Sequence, residues 1–273
     1  MDVSNNITPL VLTFNEAPNI GRCLERLRWA DRVIVLDSGS TDGTIEIAGG
    51  FPNVAVHHRP FDDHTTQWNH GVGLVNSEWV LSLDADYILT DTLTAELRSL
   101  EPSNDLAAYF IRFRYCIFGR PLRGSLYPPR AALFRKDRAH YIDDGHTQLL
   151  QPSGRTAFLE GMIWHDDRKP VEAWISSQVR YARLEAKKLT SRTRSELSRN
   201  DRVRLTGFLG PILVAPYCLF WKRGILGGWR GLYYAFQRLI AELLLALFLI
   251  EARHEARLIS RKDAKTQRSI LNL

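Results

Sequence analysis

Only three of the 273 residues are cysteines, at positions 23, 116 and 218. That odd number and wide spacing exclude a disulfide framework and the paired spacing of a zinc site. Buried thiols in a reducing compartment are the reading that remains. No G-x-G-x-x-G and no Walker-type glycine loop occurs, so neutralisation of a phosphate by a metal is favoured over a cradle of glycine amides. The opening residues, MDVSNNITPLVLTF, carry neither a basic run nor a small-residue cleavage site. A signal peptide is therefore not expected, and residence in the cytoplasm is. A spanning helix needs about 20 apolar residues. The longest uncharged run, 205–221, has 17 and contains Pro211 and Pro216.

What is present is a globular composition, 45% hydrophobic and 24% charged, enough for one large domain or a domain with an appendage. The net charge of +6 hides an asymmetry. Residues 1–167 hold 15 Lys/Arg against 22 Asp/Glu, whereas residues 168–273 hold 21 against 8. An acidic front and a basic rear suggest two tasks, the second facing an anionic partner such as a membrane surface.

Four segments read as strands: TPLVLTF (8–14), DRVIVLDS (31–38), VAVHH (54–58) and EWVLSLDA (78–85). Helical spacing of Ile20, Leu24 and Leu27, and a weaker helical pattern over 65–75, fall between them. This alternation predicts βαβ units and a mostly parallel sheet in an α/β fold. Residues 107–119 and 131–142 alternate like solvent-facing strands. From Lys169 onward the pattern predicts helices, the first over about 170 to 190. The apolar stretches 205–221 and 239–250 are flanked by Lys, Arg, Trp and Tyr, a combination suited to a bilayer interface. Re-entrant or interfacial helices fit them, with a buried helical hairpin as the alternative.

The chemistry gathers at strand ends. Asp84 and Asp86 stand one residue apart, so on a strand they share a side with Ala85 opposite. A lone D-x-D is more commonly an exposed turn. Here, however, polar and acidic residues also close the first strand (Thr13, Asn15, Glu16) and the second (Asp37 to Asp42, DSGSTD). In open α/β sheets ligands bind at the carboxyl ends of strands. Two carboxylates there make a hard-oxygen site for Mg²⁺ or Mn²⁺ bridging substrate phosphates. Arg130 and Arg135 are candidate phosphate clamps, because the guanidinium matches phosphate geometry.

Taken together, TFNEAPNIGRCLERL, VIVLDSGSTDGT and WVLSLDAD resemble, in order and spacing, the family 2 inverting glycosyltransferases of GT-A fold. The resemblance covers residues 8–165 and extends to the bacterial subgroup that includes lipopolysaccharide-core glycosyltransferases. It implies a GT-A domain over 1–168, with a donor half about 1–100 and an acceptor half about 101–168. Residues 169–273 then resemble that subgroup's membrane-associated tail, placing the chain at the inner face of the cell membrane. By resemblance, Thr13, Asn15 and Glu16 hold the uridine and ribose, Asp37 meets the base, and Asp42 belongs to the same pocket. Asp84 and Asp86 match the family's D-x-D, whose last Asp binds the metal on the donor diphosphate. Tyr87 stands where many relatives carry a further acid. His165, in IWHDDRKP, corresponds to a downstream histidine that reaches the metal or diphosphate in some GT-A enzymes.

The implied reaction moves a sugar from a nucleotide-sugar, UDP-linked in the leading reading, to a lipid-linked or cell-envelope glycan. Inversion requires a base that deprotonates the acceptor hydroxyl, usually a carboxylate. The family's Glu-Asp or His-Glu pair is missing; the chain has Asp143-Asp144-Gly145-His146 instead. Asp144 is the first candidate base and Asp143 the second. For Asp166 and Asp167, the plain alternative to a site role is favourable placement at a helix N-terminus. Two other functions are weighed against transfer. A basic nucleic-acid-binding protein is disfavoured, because the basic half lacks any recognisable nucleic-acid module. A non-catalytic GT-A-like scaffold is disfavoured by the intact Asp84/Asp86 pair.

Overall fold

The computed structural model describes residues 6–124, 126–144 and 147–271, with side chains for all of these except 144, 147 and 257–271. The chain divides into two compact units, Met1–Lys169 and Pro170–Leu273.

The first unit begins with three strand–helix repeats. They are β1 (Ile7–Thr13), α1 (Ile20–Glu25), β2 (Val33–Asp37), α2 (Thr44–Gly49), β3 (Val54–His58), α3 (His64–Leu74) and the closing strand β4 (Trp79–Asp84). β5 (Tyr87–Leu89), α4 (Asp91–Arg98) and β6 (Leu106–Ile117) follow. Then come β7 (Arg120–Pro121), β8 (Arg130–Arg135), β9 (Ala139–Asp144), β10 (Thr147–Pro152) and β11 (Arg155–His165). The main sheet has the order β3-β2-β1-β4-β8-β6-β11-β5, and β9 pairs with β10 as a separate hairpin.

The four leading strands are parallel, as the sequence pattern predicts. β2 is buried along its whole length, which explains its unbroken apolar run: helices cover both faces of a parallel sheet. The remainder departs from the mostly parallel expectation. β8 is antiparallel to both β4 and β6, β11 runs parallel to β6, and β5 closes the sheet antiparallel to β11. The sheet is therefore mixed, an α/β arrangement of GT-A-like character. Residues 131–142, expected as one strand, are split by a turn in which the Arg138 amide donates to the Arg135 carbonyl. The split sends β9 away from the main sheet. β11 then passes so close to α4 that a Cβ on Gly161 would lie 2.4 Å from the Leu93 Cα.

The second unit is helical: α5 (Val171–Ser191), α6 (Arg199–Leu205), α7 (Leu209–Pro216) and α8 (Trp229–Leu271). A π-helical turn (Tyr217–Trp221) and a 3₁₀ turn (Gly224–Gly227) join α7 to α8. Its small core packs Ala182, Ala186 and Leu189 of α5 against Leu245 and Leu249 of α8. Two buried acids, Glu185 and Glu242, are compensated by Arg204, whose guanidinium lies 3.0 and 3.1 Å from them. Among the described residues, no helix is long and apolar enough to cross a membrane.

Candidate active site

Parallel register builds the site. Thr13 stands beside Asp37, and Leu12 beside Asp84, so the carboxyl ends of β1, β2 and β4 open side by side. The β1–α1 and β2–α2 loops are then laced together. The Asn15 amide donates to Ser40 Oγ at 2.9 Å, and Asn15 Oδ1 accepts from the Thr41 amide at 2.8 Å. Asn15 has φ 53°, a left-handed conformation that asparagine tolerates better than most residues. The Glu16 amide donates to Thr44 Oγ1 at 2.7 Å, and the Ala17 amide to Asp42 at 3.1 Å. Asp42 is exposed, and its carboxylate is occupied in clasping these loops.

Asp37 is completely buried. It accepts from the Thr13 hydroxyl, the Ser40 hydroxyl and the amides of Gly39 and Ser40. An ionised carboxylate has about four acceptor positions, and these bonds fill them. Asp37 therefore shapes the loop after β2, and its own oxygens are committed. Burial alone would raise its pKa, but the bonds from Ser40, Thr13 and Gly39 outweigh burial and hold it below the ordinary 3.8. A depressed acid contributes stability that is complete above its unfolded-state pKa and is lost as pH falls through the folded value. In Asp37→Asn the amide oxygen can face the two backbone amides while the hydroxyls turn to accept, so the cost at pH 7 should be about 1–2 kcal/mol. Urea unfolding at pH 7 and at pH 3 measures it: the gap between wild type and variant should narrow in acid. An equal gap at both pH values would contradict the assignment.

β4 ends at Asp84; Ala85 and Asp86 form the turn into β5. Ala85 points into the main core, as the alternation predicts. Asp86 Oδ2 meets His165 Nε2, from the last residue of β11, at 2.9 Å. Burial would raise Asp86, but His165 and then Lys169 hold it below the carboxylate norm. Burial would likewise lower His165, but Asp86 raises it. Each partner thus favours the charged form of the other. Asp84 goes the other way, pushed up by burial and by Asp86 against the pull of Tyr87, Arg130 and His165. Tyr87 itself is buried, and its hydroxyl pairs with that of Tyr127. Burial and Asp84 lift its pKa well above 10, so it remains a neutral phenol. Tyr87 and Tyr127 also pack edge-on against the His165 ring, with centroids 5.4 and 5.1 Å away.

Two cations complete the cluster. Arg130 lies over the Tyr127 ring at 4.9 Å. Continuing the β4–β8 register, in which Leu81 faces Leu133, brings it opposite Asp84. Lys169 Nζ binds Glu16 at 2.5 Å, and Asn19 Nδ2 reaches Glu16 at 2.8 Å. Burial first and Asp86 second push Glu16 up to about 7. Sequence reasoning missed Lys169, whose only local signal is its place beside two acids and a proline. Arg135 is not brought to the site. It pairs with Trp79 at the opposite end of β4, about 16 Å away at strand rise, where it stacks on Trp79 and bonds Glu78 and the Leu106 carbonyl. Asp166 and Asp167 do not act as helix-terminus charges either. Asp166 binds Arg22 at 2.6 Å and the Gly119 amide at 3.0 Å, and Asp167 accepts from Asn19 at 2.9 Å.

Asp143 lies exposed near the end of β9, on the strand face of Tyr141. Tyr141 is buried and stacks on Trp68 at 5.2 Å; its backbone pairs with the Asn69 side chain, which ties the hairpin to α3. The side chain of Asp144 and residues 145 and 146 lie outside the described residues.

Among the described residues, no group of three or more His, Cys, Asp and Glu could hold a metal by itself. Yet Asp86 Oδ1 is buried and has no hydrogen-bond partner. That orphaned oxygen, with Asp84 beside it, suits a hard cation that takes its remaining ligands from water and substrate phosphates.

A family model described as "Glycosyl transferase family 2" matches residues 10–152. An uncharacterised glycosyltransferase of Rickettsia felis is 24% identical over 95% of this chain and 98% of its own length. The lipopolysaccharide core biosynthesis glycosyltransferase LpsC of Rhizobium meliloti is 26% identical over 36% of this chain and 38% of its own. The O-antigen chain rhamnosyltransferase RfbN of Salmonella typhimurium is 32% identical over 38% of this chain and 33% of its own. The last two matches thus span little more than a third of either relative.

Proposed function

Because this chain belongs to glycosyl transferase family 2 and is a glycosyltransferase, we propose that it transfers a sugar, with inversion, from a UDP-sugar to a lipid-linked or cell-envelope glycan. The observation that carries this reading is the convergence of Asp84, Asp86, Glu16 and Asp37 at the carboxyl ends of three adjacent parallel strands. The acceptor class rests on the names of LpsC and RfbN, which act in lipopolysaccharide core and O-antigen assembly. The transferase domain is assigned to residues 1–168, with donor contacts in the first hundred and acceptor contacts after them.

The laced loops after β1 and β2 would hold the nucleoside. Asp84 and Asp86 would hold Mg²⁺ or Mn²⁺, with His165 orienting Asp86 through its Nε2–H. When bound, such an ion neutralises the charge of the departing nucleoside diphosphate. Arg130 and Lys169, both cationic at neutral pH, would meet phosphate oxygens, Lys169 once Glu16 yields its contact. The acidic end of β9, Asp143-Asp144, would remove the proton from the acceptor hydroxyl as its oxygen attacks the anomeric carbon.

The test is a donor screen. Purified protein with Mn²⁺ or Mg²⁺ is titrated with UDP-, GDP- and dTDP-sugars while its thermal midpoint is followed. A ligand bound only by the folded state raises the apparent stability, by about 2.7 kcal/mol at a hundred times its Kd. A shift with UDP-sugars that a chelator abolishes is the expected result. No shift with any nucleotide-sugar would overturn the reading.

A further inference from the structure

Cations also gather on the other side of β11. Trp164 directly precedes His165, so along the strand the two side chains face opposite ways. The ladder sets Trp164 beside Ile88 of β5 and Arg114 of β6. In the β6–β7 hairpin Cys116 pairs with Pro121, and the Leu122 amide donates to the Tyr115 carbonyl at 2.9 Å. Continuing that register places Arg123 opposite Arg114. Both are exposed, and neither has an acid partner among the described residues. Like charges directly opposite destabilise a sheet, so folding alone gives no reason for this pair.

Ile88 and Trp164, with Arg22, Glu25, Arg26 and Asp166, line a hollow of about 430 Å³. Its acids are already matched. Asp166 binds Arg22 and Arg168 at 2.6 and 2.9 Å, and Glu25 binds Arg28 at 2.7 Å. The Arg26 guanidinium is spent on the Leu89 carbonyl and Asp91. Arg22 Nε is buried without a hydrogen-bond partner. Burial and Asp166 push the Cys116 thiol up to about 12 against the pull of Arg168, Arg114 and Arg22, so these guanidiniums converge on one face. The surplus there is positive: Arg114, Arg123 and one unmet donor. A guanidinium fork matches phosphate oxygens, and a hollow of this size with an aromatic wall is of ligand dimensions. We propose that it is a second binding site, for a sugar phosphomonoester. Arg114 and Arg123 hold the phosphate, and the half-buried Trp164 ring receives the apolar face of the sugar. The strand backbone separates this site from the His165–Asp86 contact, so it is not an extension of the nucleotide pocket. The phosphate belongs either to the acceptor glycan or to a free sugar phosphate, and the recognition chemistry is the same. The site is read without the transfer reaction.

The experiment is calorimetry of the full chain with glucose 6-phosphate, inorganic phosphate and glucose. Wild type should bind glucose 6-phosphate more tightly than inorganic phosphate, and glucose not measurably. Saturating UDP and Mn²⁺ should leave the titration unchanged. Arg114→Gln/Arg123→Gln should weaken glucose 6-phosphate at least about tenfold, the worth of one lost charge-assisted bond. Both positions are exposed, so circular dichroism and the UDP-sugar thermal shift should match wild type, and relief of the facing charges should raise the thermal midpoint of the free protein. No binding, displacement by UDP, or binding untouched in the double variant would overturn the proposal. A UDP-sugar labelled in its sugar then identifies the source of the phosphate. Label carried onto glucose 6-phosphate, with UDP released, marks an acceptor phosphate; glucose 6-phosphate that binds and stays unlabelled marks a ligand held apart from transfer. Sugar-phosphate binding without a shift from any nucleotide-sugar would overturn the transfer reading alone.

Discussion

Asp86→Asn should reduce sugar transfer by roughly 10²- to 10³-fold, the usual cost of removing one preorganised electrostatic group from a reaction centre. The side chain is 14% exposed, spends Oδ2 on His165 and leaves Oδ1 buried without a partner. An amide in its place keeps one oxygen for His165 but removes the charge that a divalent cation needs. Without Asp86, His165 should move down, since Asp86 is the largest influence opposing its burial. Asp84 would move down toward the carboxylate range, relieved of its neighbour's charge. Initial rates across a Mn²⁺ titration give the first effect, and NMR titration of the His165 ring gives the second. A variant with wild-type rate and unchanged metal response would show that Asp86 is not at the reacting diphosphate.

A comparable loss, about 10²- to 10⁴-fold in kcat, should follow removal of the acceptor base. Asp143→Asn and Asp144→Asn made singly should divide cleanly: one loses the rate and the other stays within a fewfold of wild type. Because Trp68 and Asn69 tie the hairpin to α3 and the Asp143 side chain is exposed, Asp143→Asn should leave the thermal midpoint unchanged. Donor binding should survive in both, since the proposed donor loops follow β1, β2 and β4. The division is read from kcat with saturating UDP-sugar beside the donor-induced thermal shift. Two active single variants would remove the β9 carboxylates from the mechanism and leave the base to another element.

Much of this was legible along the chain because its causes are local. Apolar runs closed by turn residues marked β1, β2 and β4, and strand alternation set Asp84 and Asp86 apart from Ala85. The polar strand ends mark a ligand edge in the sequence alone. A resemblance spread over three motifs identified the family. Long-range pairing decided the rest. Arg130 and Arg135 are equivalent as sequence, yet antiparallel pairing of β8 with β4 carries one toward Asp84 and the other to the far end of the sheet. The reversal of β8 made the sheet mixed where the leading strand–helix alternation implied a mostly parallel one. Lys169 became a partner of Glu16 because the chain after β11 returns past α1, a contact spanning 153 residues. Composition revealed an apolar, basic rear, but only the packing of α8 on α5 showed which side of that helix is buried. Its acid turns inward to Arg204, and its aromatic and aliphatic stripe is left facing out, because one buried ion cluster and one small core can cover only a single face.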